Sequence, residues 1–183
     1  MGPGHLHSRR AVEGVDDAIV IRDIRPSDSL SELTTLLRAA YADLGALGFR
    51  YVATYQDESV TRRRLERGFP LVVELAGRLI GTVTLYPPRP DAHPAWYRRP
   101  DVYYFGQFGV LPEFKGQGIG CRLMQEVERR ARERGAGHLA LDTAEGAAHL
   151  IAWYERCGFQ FVEHVQWQVT NYRSVVMSKA LPR

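Results

Sequence analysis

The segment Lys115-Gly116-Gln117-Gly118-Ile119-Gly120 constrains this chain more than any other, because it turns a strand directly into a helix. Ahead of it, Tyr103-Tyr104-Phe105-Gly106-Gln107-Phe108-Gly109-Val110-Leu111-Pro112 reads as a buried strand. Behind it, Ile119, Leu123, Val127 and Ala131 recur at the spacing of one helix face. Glycines at alternate positions carry no Cβ to hold a ligand off the backbone. The first-turn N–H groups, which have no intrahelical partner, are then free to point at an anion. The helix dipole adds about 0.3–1 kcal/mol per exposed contact. The same glycines would equally serve a tight strand-to-helix connection with no ligand.

Spacing separates the loop from two familiar phosphate sites. A P-loop needs Gly-Lys-Ser/Thr at the helix entrance, whereas Gly120 is followed by Cys121 and Arg122. The dinucleotide fingerprint needs its third glycine where Cys121 stands. What remains is Arg/Gln-x-x-Gly-x-Gly/Ala, met by Lys115, Gly118 and Gly120 with lysine in first place. Downstream, after the strand-like run His138-Leu139-Ala140-Leu141-Asp142-Thr143, comes Trp153-Tyr154-Glu155-Arg156-Cys157-Gly158-Phe159. The first pattern resembles the pyrophosphate-binding signature of the GNAT superfamily of N-acetyltransferases. The second is similar to that superfamily's Tyr-x-x-x-Gly-Phe segment, and the resemblance extends from Ala18 to Leu181.

This resemblance implies an α/β (α+β) GNAT fold, a mixed central sheet of about seven strands flanked by about four helices, with a splayed central strand pair. Acetyl-CoA, as acyl-donor cosubstrate, would lie in the opening. The central strand would offer backbone groups at Phe108, Gly109 and Val110 to the pantetheine and thioester, one of them stabilising the developing oxyanion. The pyrophosphate would meet Lys115, Gly116, Gln117, Gly118, Ile119, Gly120 and Cys121. Tyr154 stands where members place a tyrosine that protonates the departing CoA thiolate. Tyr104 stands where some members hold a glutamate base. A phenol with a pKa near 10 is a poor base at pH 7, so Tyr104 is expected to orient a water or line the substrate pocket. Asp142 is a second candidate for the base, set against a capping or structural role. Ala147 is near the place of an asparagine common in the family.

The implied activity is direct transfer of acetyl from acetyl-CoA to a primary amine on a small molecule or peptide. Two rivals remain: an aminoacyl-tRNA-modifying acetyltransferase, and a non-catalytic acyl-CoA-binding module that kept the loop and lost the base. The net charge of +3 is modest. The arginine-rich runs at 62–67 and 129–134 are interrupted by glutamates and read as solvated helix faces, which argues against a nucleic-acid partner. No metal is expected, because His93, His138, His149 and His164 lack ligand spacing and His5 and His7 lie in the N-terminal tail. A homodimer is compatible with the resemblance.

At 183 residues the chain suits one domain, 18–183, behind a disordered tail over 1–17. No apolar run approaches the ~20 residues that span a bilayer, and the first ten residues have no apolar core for a secretory signal, so a cytoplasmic location is expected. Cys121 and Cys157 are expected as free thiols, with Cys121 packed. Along the chain, Ala18–Arg22 reads as a strand, Pro26-Ser27-Asp28 as a helix cap, Asp57–Arg67 as a second helix, and Leu71–Leu75 with Leu79–Leu85 as a hairpin. Phe159–His164 and Arg173–Met177 supply the last strands. Pro87 to Pro100 is a proline-rich loop, whose Trp96 and Tyr97 are expected either to cover an amine substrate or to fold back on the core.

Overall fold

The computed structural model describes residues 18–182; the tail expected over 1–17 lies outside them. Seven strands form one sheet: β1 (Ile19–Asp23), β2 (Phe69–Leu75), β3 (Arg78–Tyr86), β4 (Val102–Val110), β5 (His138–Ala144), β6 (Gln160–Gln166) and β7 (Arg173–Ala180). Four α-helices accompany them: α1 (Leu30–Ala46), α2 (Glu58–Glu66), α3 (Ile119–Glu133) and α4 (Ala148–Arg156). The spatial order is β1-β2-β3-β4-β5-β7-β6. All neighbours are antiparallel except β4 and β5, whose parallel pairing requires the crossover that α3 supplies. This is the mixed seven-stranded sheet with four helices that the sequence implied.

Side chains alternate across a strand, so β4 shows which layer lies on which face. Phe108 packs on Trp153 of α4, with ring centroids 5.7 Å apart. Gly109, its neighbour, points to α1 on the opposite face, where a Cβ would come within 2.8 Å of the Ala40 Cβ. Glycine at 109 therefore lets α1 lie directly on the central strand. The buried stripe of α1, Leu33, Leu36, Leu37, Ala40 and Leu44, follows helical spacing and faces the sheet.

Two local readings are corrected. The helix cap is Ser29, whose Oγ accepts the Glu32 N–H at 3.1 Å, rather than Asp28. Asp28 instead takes a forked pair of 2.8 Å hydrogen bonds from Arg22, which also donates to Glu74 at 2.8 Å. These hydrogen bonds hold the Asp28 carboxyl below its ordinary range. The segment 87–100 is not wholly irregular, since Ala95–Arg98 forms a 3-10 turn.

The chief irregularity lies in the central strand. Gln107 has φ +51, unusual for a residue with a side chain, and the β3–β4 register slips between Thr82 and Thr84. This is a β-bulge, which bends its strand. Beyond Tyr104, the last β4 residue paired with β5, the two parallel strands part.

Candidate functional site

The parting of β4 from β5 opens a cavity of about 1360 Å³ that runs from the α3 entrance to the loops after β3 and β6. Its two ends have different chemistry.

At one end, the β4–α3 loop supplies backbone donors. Gly118 takes the N-cap position of α3 in a left-handed conformation, φ +80, with no side chain capping the helix. The first helical bond is donated by Arg122 to the Gly118 carbonyl, so the N–H groups of Ile119, Gly120 and Cys121 precede it and stay open. No acidic residue stands in the first turn to neutralise the dipole. Gly116, Gly118, Gly120 and Cys121 line the cavity beside Phe108 and Val110. Ile119 does not, because its side chain is buried in the core, and Gln117 turns back to the Glu113 carbonyl at 3.1 Å. The Lys115 N–H closes a turn onto Pro112, and its ammonium leans to α1, reaching the Ala40 carbonyl and Asp43 at 3.3 Å. Cys121 is exposed at this end rather than packed.

Tyr154 sits on α4 and lines the cavity. Its ring packs on Phe105 and Phe159 at 6.2 and 6.0 Å, and burial pushes its phenol well above the ordinary value of 10. Among the described residues its hydroxyl has no hydrogen-bond partner, although it faces a cavity.

The opposite end is aromatic and mixed in charge. Tyr104 lies between Tyr97, stacked at 4.1 Å, and Tyr86, at 5.1 Å. Burial raises the Tyr104 phenol, so it remains neutral near pH 7. Asp142 accepts hydrogen bonds from Trp167 Nε1 at 2.8 Å and from the Tyr97 hydroxyl at 3.1 Å. It lines the cavity, and burial raises its carboxyl above the usual carboxylate range despite these two donors. Tyr51 donates to or accepts from Thr143 at 2.9 Å and takes the Ala144 N–H at 3.0 Å, binding α1's following loop to the parted edge of β5.

Trp96 and Tyr97 do not form the cover the sequence allowed for. Tyr97 is only 2% exposed and belongs to a buried cluster with Val102, Ala140 and Val176. Trp96 packs edge-on to His138 and beneath the Arg99 guanidinium, away from the cavity. Cover is provided instead by Trp167, Val169 and Tyr172 from the β6–β7 loop, which the sequence reading passed over. Arg64 was also missed. It was read as part of a solvated face, yet it lines the cavity half-buried. The signal was present, since Thr61 and Leu65 lie three residues before and one after it on the inward side of α2. The second basic run does behave as surface: Arg129 and Arg130 pair with Glu126, Arg129 also with Glu133, and Arg132 with Glu128.

Among the described residues, no group of three or more His, Cys, Asp or Glu could hold a metal ion, and no helix is long and apolar enough to cross a membrane.

Comparison with known proteins gives four findings. The sequence model of the Acetyltransferase (GNAT) family matches residues 31–159. An S-alkylcysteine N-acetyltransferase of Bacillus subtilis (strain 168) is 32% identical over 104 residues, spanning 56% of each chain. An S-(2-succino)cysteine N-acetyltransferase of the same organism is 31% identical over 140 residues, covering 74% of this chain and 79% of the relative. In fold, a GNAT family acetyltransferase from Elizabethkingia anophelis, solved with acetyl-CoA bound, superposes with a TM-score of 0.64 at 16% identity, over 90% of this chain and 99% of that one.

Proposed function

Because this chain belongs to the Acetyltransferase (GNAT) family, a family of enzymes, we propose that it moves acetyl from acetyl-CoA to a primary amine of a small molecule or peptide by direct transfer. The observation that carries this reading is Tyr154, a buried residue whose hydroxyl makes no hydrogen bond within the described residues and which lines the same cavity that receives the uncapped end of α3.

The residues present fit the cosubstrate. Open N–H groups at Ile119, Gly120 and Cys121 suit a pyrophosphate, and the unpaired side of β4 beyond Tyr104 suits an extended, amide-bearing arm. Acetyl-CoA supplies the activated acyl carbon; an amine nitrogen bonds to that carbon as the carbon–sulfur bond breaks. Three proton movements are then left to the protein, because the nitrogen sheds two protons on going from ammonium to amide, and the second of them restores the Tyr154 phenol after it has protonated the sulfur. Tyr154 gives its proton to the sulfur. A buried phenol holds that proton until a thiolate forms, and the thiolate, desolvated in the same cavity, gains proton affinity with it. The incoming ammonium must lose a proton, for which Asp142 is the acceptor, directly or through one water. Burial lifts its carboxyl above the ordinary value, which makes the carboxylate a stronger proton acceptor than a solvated one. Tyr104, neutral and stacked, shapes the pocket wall.

Both Bacillus relatives are named for acetylating S-substituted cysteines, which makes these the first acceptors to try. The aminoacyl-tRNA reading is less supported, because Arg129, Arg130 and Arg132 of α3 are paired along the helix, which leaves the basic surface to α2 alone. The binding-module reading gives no reason for a phenol on the cavity wall with no hydrogen bond to the described residues. The test is CoA release from acetyl-CoA with a panel of amines, S-alkylcysteines included. Release with at least one amine, accompanied by the N-acetyl product, supports the reading; release at the rate of acetyl-CoA hydrolysis with all of them refutes it.

A further inference from the structure

The acceptor end of the cavity contains a guanidinium with no carboxylate in contact among the described residues. Arg64 donates to the neutral Gln56 Oε1 at 2.9 Å, and no carboxylate of the described residues lies within ion-pair distance of Arg63, Arg64 or Arg67, all of which line the cavity. A half-buried cation held by neutral groups, the Gln56 amide and the Tyr86 hydroxyl, with Asp142 beyond ion-pair distance, has given up water without gaining a contacting anion, an arrangement that favours an anionic ligand.

Arg64 is also fixed in place. Gln56 is itself 1% exposed, donating to Thr61 Oγ1 at 2.8 Å and to Gln107 Oε1 at 3.2 Å, and Gln107 donates to Thr84 at 3.3 Å. The guanidinium is thereby tied to the bulge that opens β4. Its Nη2 lies 3.7 Å from the point a Cβ on Gly106 would occupy, so it stands over the start of the parted strand. The open α3 donors lie beyond Val110, about four residues and ~13 Å further along β4. Arg64 therefore addresses a different part of the cavity from the phosphate loop.

The remaining surfaces define what the anion is attached to. Asp142, the proposed proton acceptor, faces the same space and offers negative charge to an ammonium. The same cavity is lined by Tyr41, Tyr51 and Tyr172, with Tyr41 and Tyr51 in edge contact at 5.4 Å and Tyr51 and Tyr172 tilted at 4.8 Å. We infer that the acceptor is a free α-amino acid with an apolar side chain, its carboxylate bound by Arg64, its amine directed at Asp142 and its side chain on the tyrosine wall. This rests on the transferase reading above and narrows its substrate class.

The test compares S-ethyl-L-cysteine with two analogues lacking the carboxylate charge, its methyl ester and 2-(ethylthio)ethylamine, in the wild type, Arg64→Met and Arg64→Lys. CoA release is followed at saturating acetyl-CoA. The preference of the wild type over each analogue, divided by that of the variant, cancels the intrinsic reactivity of each amine. A forked charge-assisted pair predicts that this quotient is about 10–100 for Arg64→Met, carried by KM, and intermediate for Arg64→Lys, which keeps the charge and loses the fork. Acetyl-CoA affinity by calorimetry should stay within about threefold of wild type in both variants, since the phosphate donors are elsewhere. A quotient near one overturns the assignment, as does a drop in acetyl-CoA affinity that would place Arg64 on the cosubstrate. If the wild type turns over the uncharged analogues as well as S-ethylcysteine, the substrate class fails while the transferase reading stands. If it binds acetyl-CoA and turns over no amine, both fail.

Discussion

Replacing Gly118 by valine tests whether the α3 entrance holds a pyrophosphate, and a matched control lies at the helix's other end. Gly118 has φ +80 and Gly135 φ +81, and in each case a Cβ would meet nothing within 4 Å. Both substitutions therefore impose the same left-handed strain, about 1–2 kcal/mol, without a clash. For a chain of this size that lowers Tm by about 2–8 °C. The sites differ in surroundings. Gly118 borders the cavity and sets the direction of the open N–H groups, whereas Gly135 lies past the C-terminal end of a fifteen-residue helix, about 22 Å away. Losing two charge-assisted bonds of about 1.5–3 kcal/mol each weakens binding by about 10²–10⁴. Calorimetric titration with acetyl-CoA, on variants whose melting temperatures match, should show that loss for Gly118→Val alone. The reasoning is refuted if Gly118→Val binds acetyl-CoA like wild type, or if Gly135→Val loses as much affinity.

Tyr154→Phe retains the ring packing on Phe105 and Phe159 and removes the proton, so single-turnover acetyl transfer should slow by about 10²–10⁴ with acetyl-CoA affinity nearly constant; an unchanged transfer rate excludes the acid role. Asp142→Asn should lower kcat/KM by a similar ~10²–10⁴ and abolish the limb that rises with pH as the carboxylate forms; a persisting limb assigns it to another group. The same variant has a stability signature. Because burial raises the folded carboxyl above 3.8, its contribution is fully present below 3.8 and is lost as pH rises through the folded value. Asp142→Asn should thus melt higher than wild type at pH 7, with the gain shrinking as pH falls through the folded value and gone below 3.8, and a lower Tm at pH 7 contradicts this. Arg22→Met should cost about 1.5–3 kcal/mol in urea unfolding, since part-buried Asp28 then keeps only the Arg25 N–H, at 2.6 Å. Asp28 is held low by Arg22, so its contribution is present above 3.8 and disappears as pH falls through the lowered value. The variant should accordingly show a flatter loss of stability in acid.

What the sequence determined is mostly local. A glycine run between an apolar strand and a 3.6-periodic helix leaves the chain few conformations, and Gly118 adopts the left-handed cap that only glycine takes without strain. The order of strands and helices followed from hydrophobic period and turn residues, since these act over a few neighbouring positions. The hairpin turn at Ala76 and Gly77, both with positive φ, was legible for the same reason.

The acceptor end depended on contacts between residues far apart in the chain. Asp142 is bound by Tyr97 and Trp167, 45 and 25 residues away, and nothing in its neighbours along the strand announces either partner. Tyr97 was equally able to cover a substrate or enter the core until stacking on Tyr104 placed it inside. Arg64 looked like its neighbours Arg62 and Arg63 because charge is a property of composition, whereas its burial depends on how α2 rests against the sheet. The bulge at Gln107 is the deepest instance. A positive φ at a glutamine carries no sequence mark; it is held by amide contacts to Gln56 and Thr84, and those exist only once three separate elements have met.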